Sequence, residues 1–229
     1  MRLLILFLKE PLPGQVKARL EDSMGSERAV LIYRAMVRIL LQQLSGLEHC
    51  HLRISYTPDD GEEAIRFWIL PELIDDPSID LDPRLISFAP QGPGQLHTRL
   101  ARAAERAFQE GFSKVAFIGS DCIEVSSRWV HAAFAQLNDK YDAVLGPTTD
   151  GGQHLLAVQR HLPALFEDTP WSSPPACRRT TEQSASHGIS LFTLPALPAI
   201  RTEDDYRAAL AGPLGPRLKK AAENLEEKP

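Results

Sequence analysis

RLLILFLKEPLPGQVKARL, residues 2–20, decides the fold. Its first part, residues 3–8, is an uninterrupted apolar run with no polar alternation. A parallel strand covered on both faces reads this way. The run is shorter than the roughly 7–15 residues of a signal-peptide core or the ~20 of a membrane helix, so it reads as a first buried strand. Lys9 ends it abruptly. The loop beyond carries Lys9, Pro11, Pro13, Gly14, Lys17 and Arg19.

Outward from this stretch, helix-like and strand-like periods alternate. Residues 26–44 are helical, with Val30, Tyr33, Val37, Leu40, Leu41 and Leu44 on one face. Strands are expected at 52–57, 85–89, 114–119, 142–146, 154–158 and 189–194, and helices at 62–70, 95–110, 127–137, 174–187 and 203–210. Residues 71–83 hold three prolines and several acids, and read as an irregular surface segment. The strand at 154–158 follows its predecessor too closely for a crossover, so it reads as an antiparallel hairpin or edge addition. This predicts an α/β fold: a three-layer αβα sandwich on a mostly parallel sheet with one late antiparallel strand. Residues 1–212 are expected to form a single domain and 213–229 a charged C-terminal tail.

The chain has 229 residues, with 25 Lys and Arg against 30 Asp and Glu, a net charge of −5. The pI near 5.8 excludes a nucleic-acid binder working by bulk charge. An anionic ligand must therefore meet a local basic cluster. The three cysteines (Cys50, Cys122, Cys177) form no CxxC pair, which argues against a thiolate zinc site and for a reducing, cytoplasmic setting. No later run is long enough to span a bilayer.

In an open α/β sheet, ligands bind beyond the carboxyl ends of the strands. Three polar loops fall there. The first, residues 9–19, suits a phosphate: its prolines stiffen it, Gly14 lets the backbone approach closely, and Lys9, Lys17 and Arg19 supply charge. The same cations also fit a solvated face. Neither GxGxxG nor GxxxxGK[ST] is present. The second loop is Ser120-Asp121-Cys122. The third holds Asp150, Gly151 and Gly152 after "DAVLG". Mg²⁺ or Mn²⁺ is commonly held by one or two carboxylates plus phosphate oxygens, and Asp121 with Asp150 is the candidate pair. Each has a plainer reading. Asp121 could cap the following helix, although Ser126 or Ser127 lies closer to its start. Asp150 could be a turn residue. The histidines lack metal spacing; His97 and His154 lie nearest the loops. Trp171 reads as core.

The segments "FLKEPLPGQVKARL", "APQGPGQLHTRLARA", "FIGSDC", "VLGPTTDGGQHLLAV" and "LFEDTPWSSP" occur in one order. In this the chain resembles the rSAM/selenodomain-associated transferase family, which is similar to GT-A nucleotide-diphospho-sugar transferases and to molybdopterin and 2-phospho-lactate guanylyltransferases. The resemblance implies a GT-A fold, a nucleotide-activated donor, and a divalent metal, Mg²⁺ or Mn²⁺, near Asp121. It matches Lys9, Gly14, Lys17 and Arg19 to the phosphate loop, Asp121 to the metal-binding aspartate and Asp150, Gly151 and Gly152 to the DGG turn. With the loop reading, the expected nucleotide- and phosphate-binding residues are Lys9, Pro13, Gly14, Lys17, Arg19, Ser120, Gly151 and Gly152, and the expected catalytic and metal-binding residues are Asp121 and Asp150. The chain departs from the family pattern at Gln95–Arg99, at Gln153 and His154, and at residues 199–202. There, where a D-x-D-T segment is usual, it reads Ala-Ile-Arg-Thr. Arg201 puts a cation where an acid is expected. It would repel a second metal or bind phosphate itself.

The favoured expectation is a metal-dependent GT-A glycosyltransferase taking a nucleotide sugar, or a nucleotidyltransferase taking a nucleoside triphosphate, with a small-molecule acceptor. The alternative is a non-catalytic nucleotide or phospho-ligand binding protein, motivated by Arg201, Gln95 and Gln153. No nucleic acid and no membrane span are expected. No motif encodes the base, sugar, acceptor or oligomeric state.

Overall fold

The opening apolar run becomes β1 (Arg2–Lys9), hydrogen-bonded on both sides to parallel strands. The computed structural model describes residues 1–226 except 168, 170 and 172. Pro170 of the Trp171 motif, and 227–229 of the expected tail, lie outside the described residues.

After β1 come α1 (Ala18–Met24), α2 (Ser26–Gln43), β2 (Cys50–Thr57), α3 (Glu62–Asp75), β3 (Ile86–Pro90), α4 (Leu96–Gln109), β4 (Lys114–Ile118) and α5 (Ser127–Gln136). The second part holds β5 (Ala143–Pro147), β6 (Gln153–Val158), α6 (Ala176–Ser186), β7 (Leu191–Thr193), α7 (Glu203–Ala211) and α8 (Gly215–Glu226). The seven strands lie in the order β3-β2-β1-β4-β6-β5-β7. Only β6 runs against its neighbours, pairing antiparallel with β4 and β5. The carboxyl ends of all the other strands therefore share one edge.

One core fills the face covered by α2, α3 and α5, and another the face covered by α4 and Trp171. Trp171 is buried in the second, as its aromatic bulk predicts. The fold is the mostly parallel, helix-flanked sandwich expected from the period alternation.

Several elements differ from the sequence reading. β6 forms the expected antiparallel hairpin with β5, but it lies inside the sheet between β5 and β4 and not at an edge. All six of its residues are buried, which suits a strand covered on both faces. α3 continues through Pro71 to Asp75. Pro71 lies on its exposed side, and Arg38 of α2 holds the far turn through Glu72 at 3.4 Å and Asp76 at 3.0 Å. Residues 71–76 are thus anchored, not irregular. The stretch read as a charged tail forms α8, which lies along α2 and buries Leu218, Ala221 and Ala222. The partner face is on α2, where Ala29, Ile32, Ala35, Met36 and Ile39 form a second apolar stripe opposite the sheet-facing one. A helix apolar nearly all round must be buried on both sides.

Candidate functional site

Beyond the carboxyl ends of β1, β3 and β4 lies a cavity of about 350 Å³, closed on one side by the segment between β7 and α7. Lys9, Lys17, Arg19, Tyr33, Gln91, Ser120, Asp121 and Arg201 line it. A smaller cavity of about 50 Å³ adjoins it, bordered by Thr148, Gln153, His154 and Trp171. Asp121 and Arg201 belong to both walls.

Lys17 precedes α1 with a left-handed φ of 53°. That conformation costs a residue with a Cβ about 1 kcal/mol or more, and persists only where the surroundings enforce it. Here Lys17 Nζ donates to Asp121 Oδ1 at 2.5 Å and to the Ile200 carbonyl at 2.9 Å. Asp121 leaves β4 behind Gly119-Ser120, while Ser126 caps α5 by accepting from the Trp129 N–H. The capping duty is thus filled, and Asp121 is free for the site. Burial pushes its carboxyl up, but Lys17, and after it Arg201, outweigh burial and hold it below the usual carboxylate range.

Arg201 is brought here by local structure the sequence encodes. Thr202 and Asp205 form a capping box at the start of α7. Asp205 Oδ2 also accepts from the Arg201 N–H at 3.0 Å, and the Ile200 N–H donates to the Asp121 carbonyl at 2.8 Å. The guanidinium then reaches two carboxylates. Its Nη1 donates to Asp150 Oδ2, and its Nε stands 3.5 Å from Asp121 Oδ2. Its side chain is only 9% exposed. Asp150 is held further by the Thr148 hydroxyl, which donates to Oδ1 at 2.5 Å. Gly152 is needed beneath this clamp, because a Cβ there would lie 2.8 Å from Arg201 Nη2.

Lys9 and Arg19 differ from these two cations. Neither forms an ion pair among the described residues; Lys9 Nζ meets only the Gln15 carbonyl, at 3.3 Å. Tyr33 fixes the Lys9 backbone, accepting from its N–H at 2.9 Å and donating to its carbonyl at 3.1 Å. Burial raises the Tyr33 phenol, so it stays neutral. Gln91 braces the opposite wall, donating to the Leu8 and Ser55 carbonyls at 3.0 and 2.9 Å.

The expected residues are thus brought together in part. Lys9, Lys17, Arg19, Ser120, Asp121 and Arg201 converge on the larger cavity. Pro13 and Gly14 sit exposed on the outer side of the loop and do not line it. Asp150, Gly151 and Gly152 line neither cavity; they stand behind Arg201. Tyr33 and Gln91 received no site role from the sequence. Gln91 sits just after a strand, at the same edge as the other loops, which is the signal that points to it. His154 is buried and its pKa pushed down to about 4, so it is a neutral wall residue. Burial pushes the Cys122 thiol up to about 12, too high for a thiolate nucleophile.

The expected Mg²⁺ or Mn²⁺ can be tested against this donor set. Both candidate carboxylates are engaged by Arg201, and Asp121 by Lys17 as well. No group of three or more His, Cys, Asp or Glu suited to a metal occurs among the described residues. The residues present, in this arrangement, do not fit a resident divalent ion, whose coordination needs oxygen lone pairs free of competing cations.

In comparison with solved structures, a candidate nucleotide-diphospho-sugar transferase from Desulfovibrio desulfuricans G20 is 27% identical, with 98% of each chain covered and a TM-score of 0.79. A 4-diphosphocytidyl-2C-methyl-D-erythritol synthase from Anaerococcus prevotii DSM 20548 shares the fold at 10% identity, with 99% of each chain covered and a TM-score of 0.55. The architecture is that of nucleotide-using transferases. No curated protein matches the chain in sequence. No helix among the described residues is long and apolar enough to cross a membrane. Residues 40–173 match a family described as an uncharacterized protein conserved in bacteria, DUF2064, and the chain belongs to that family.

Proposed function

We propose that this chain is a transferase taking a nucleotide-activated donor, most simply a GT-A glycosyltransferase using a nucleoside-diphosphate sugar. One observation carries the reading. The roughly 350 Å³ cavity at the carboxyl edge of the sheet is lined by Lys9 and Arg19, exposed cations with no carboxylate ion-pair partner among the described residues. Buried apolar walls with a few placed cations suit a diphosphate and its nucleoside. The likeness to the Desulfovibrio protein, at 27% identity over nearly the whole chain, supports the same class.

In this reading Lys9 and Arg19 bind phosphate oxygens, with Ser120 beside them. Lys17 and Arg201 place fixed N–H donors where charge develops on the departing phosphate. Asp121 forms the wall between the two cavities and orients Lys17. Asp150 positions Arg201 from behind; it carries a guanidinium and a hydroxyl, so it is not a ready base. The acceptor lodges on the side of the smaller cavity, and no protein nucleophile is required. A divalent ion would have to arrive with the nucleotide phosphates and draw Asp121 and Asp150 away from Arg201. Residues 1–226 act as one such domain, α8 included.

The non-catalytic alternative has one observation in its favour: Arg201 and Thr148 engage Asp150, so this carboxylate is not free to deprotonate an acceptor. Thermal shift over UDP-, GDP- and CDP-sugars and nucleoside triphosphates tests the reading. At ligand 100-fold above Kd, stabilisation is about 2.7 kcal/mol, a rise of roughly 5 °C or more for a chain of this size. No shift with any nucleotide, with or without Mn²⁺, refutes it. Release of nucleoside diphosphate marks glycosyl transfer, and release of pyrophosphate marks nucleotidyl transfer. Binding without either product supports the non-catalytic alternative.

A further inference from the structure

We propose that Lys17 and Arg201 do in this chain the charge-neutralising work of a divalent cation, so that a nucleoside diphosphate binds without Mg²⁺ or Mn²⁺. This rests on the nucleotide reading of the same cavity. The charges balance: Asp121 and Asp150 carry two negative charges, and Lys17 and Arg201 return two positive ones within ion-pair reach. A divalent ion between those carboxylates would give the same sum. The guanidinium stands where such an ion would bridge them, touching Asp150 through Nη1 and facing Asp121 through Nε.

The clamp is built, not incidental. The Arg201 and Lys17 side chains are 9% and 6% exposed. The capping box of α7, the Ile200 link to Asp121 and the missing Cβ of Gly152 together fix the position of Arg201. An ion entering between the carboxylates would therefore have to displace a buried guanidinium or lie against it, and either is unfavourable. Donor capacity also remains. A guanidinium has five N–H donors, and among the described residues only Nη1 makes a side-chain hydrogen bond, while Nε, 3.5 Å from Asp121 Oδ2, makes an ion-pair contact but no hydrogen bond. These unspent donors belong to a side chain lining both cavities. Together with Lys9 and Arg19 they suit the planar oxygens of a diphosphate.

Calorimetry of GDP, UDP and CDP against the full chain, in EDTA and in excess MnCl₂, tests this directly. The diphosphate that binds is expected to have the same Kd in both buffers within about threefold, and MnCl₂ alone to give no binding heat. Arg201→Met should weaken binding in EDTA by about tenfold or more. Arg201→Asp should create Mn²⁺ binding and make nucleotide binding depend on it. Wild-type binding that requires Mn²⁺, or Mn²⁺ binding to the free wild type, overturns the inference and leaves the nucleotide reading standing. No binding of any diphosphate in either buffer overturns the nucleotide reading itself. The wild-type comparison decides the matter even if a variant fails to fold.

Discussion

Replacing Lys17 with Met removes one ammonium and keeps the apolar stem. Lys17 Nζ makes two contacts: Asp121 Oδ1 at 2.5 Å and the Ile200 carbonyl at 2.9 Å. Losing a hydrogen bond to a buried carbonyl costs about 1 kcal/mol net. Breaking a fully buried ion pair costs about 3–5 kcal/mol, but the Asp121 side chain is 33% exposed and Arg201 still faces it, so about 2 kcal/mol is the fitting figure. The sum, about 3 kcal/mol, lowers the melting temperature by roughly 6–12 °C in a chain of this size. The pH dependence identifies the source. Lys17 holds the folded carboxyl of Asp121 below its unfolded value, so this stability is present above about pH 4 and is lost as pH falls through the folded value. The ion-pair share should persist at pH 4 and fade below it, leaving about 1 kcal/mol from the carbonyl bond once Asp121 is protonated. Urea denaturation of both proteins at pH 7 and at about pH 2 measures it. A difference below about 0.5 kcal/mol at pH 7, or one undiminished at the acid end, refutes the assignment of Lys17 as the partner of Asp121.

Gly151→Ala should destabilise by about 1–3 kcal/mol, read as a lower urea midpoint, because φ is +87° and the new Cβ would lie 2.6 Å from the Pro174 carbonyl oxygen. Asp76→Asn should cost about 2 kcal/mol, since this buried carboxylate accepts from Ser78, Gln42 and Arg38. Burial raises the Asp76 carboxyl, yet those bonds outweigh burial and hold it far below the usual range, so the effect should shrink as denaturation is repeated below about pH 4. The His154 imidazole, pushed down to about 4 by burial, should stay neutral at pH 6 by ¹⁵N-edited NMR. Because its folded value lies below its unfolded one, its contribution is complete above about pH 6.5 and decays by up to roughly 3 kcal/mol as pH falls to 4. A ring that titrates near 6.5 would show that it is not buried.

Much of the architecture was legible because burial on both faces leaves a mark in one dimension. The run at residues 3–8 has no polar alternation, and only a covered strand tolerates that. The sheet-facing stripe of α2 was equally plain at helical spacing. Its second stripe was present in the same letters, yet its meaning depended on a partner, and α8 reads as charged when taken alone. The short connection from β5 encodes the antiparallel hairpin that β6 forms with it. Its insertion beside β4 is a pairing choice that connection length does not encode.

The site divides in the same way. Residue order alone put Lys9, Lys17, Arg19 and Ser120-Asp121 at the carboxyl edge, since a parallel sheet sends every strand-to-helix loop there. Arg201 stood out only through the family resemblance, as a cation where that pattern has an acid. Which carboxylate meets which cation was decided only in three dimensions. Arg201 lies 51 residues from Asp150 in the chain and grips it because β7 pairs with β5 and the α7 cap fixes the intervening turn. That contact turns Asp150 away from the cavity and fills the place between the carboxylates with a guanidinium. Charge type is written in the sequence. Charge pairing depends on distance and burial, and both arise only when separate elements pack.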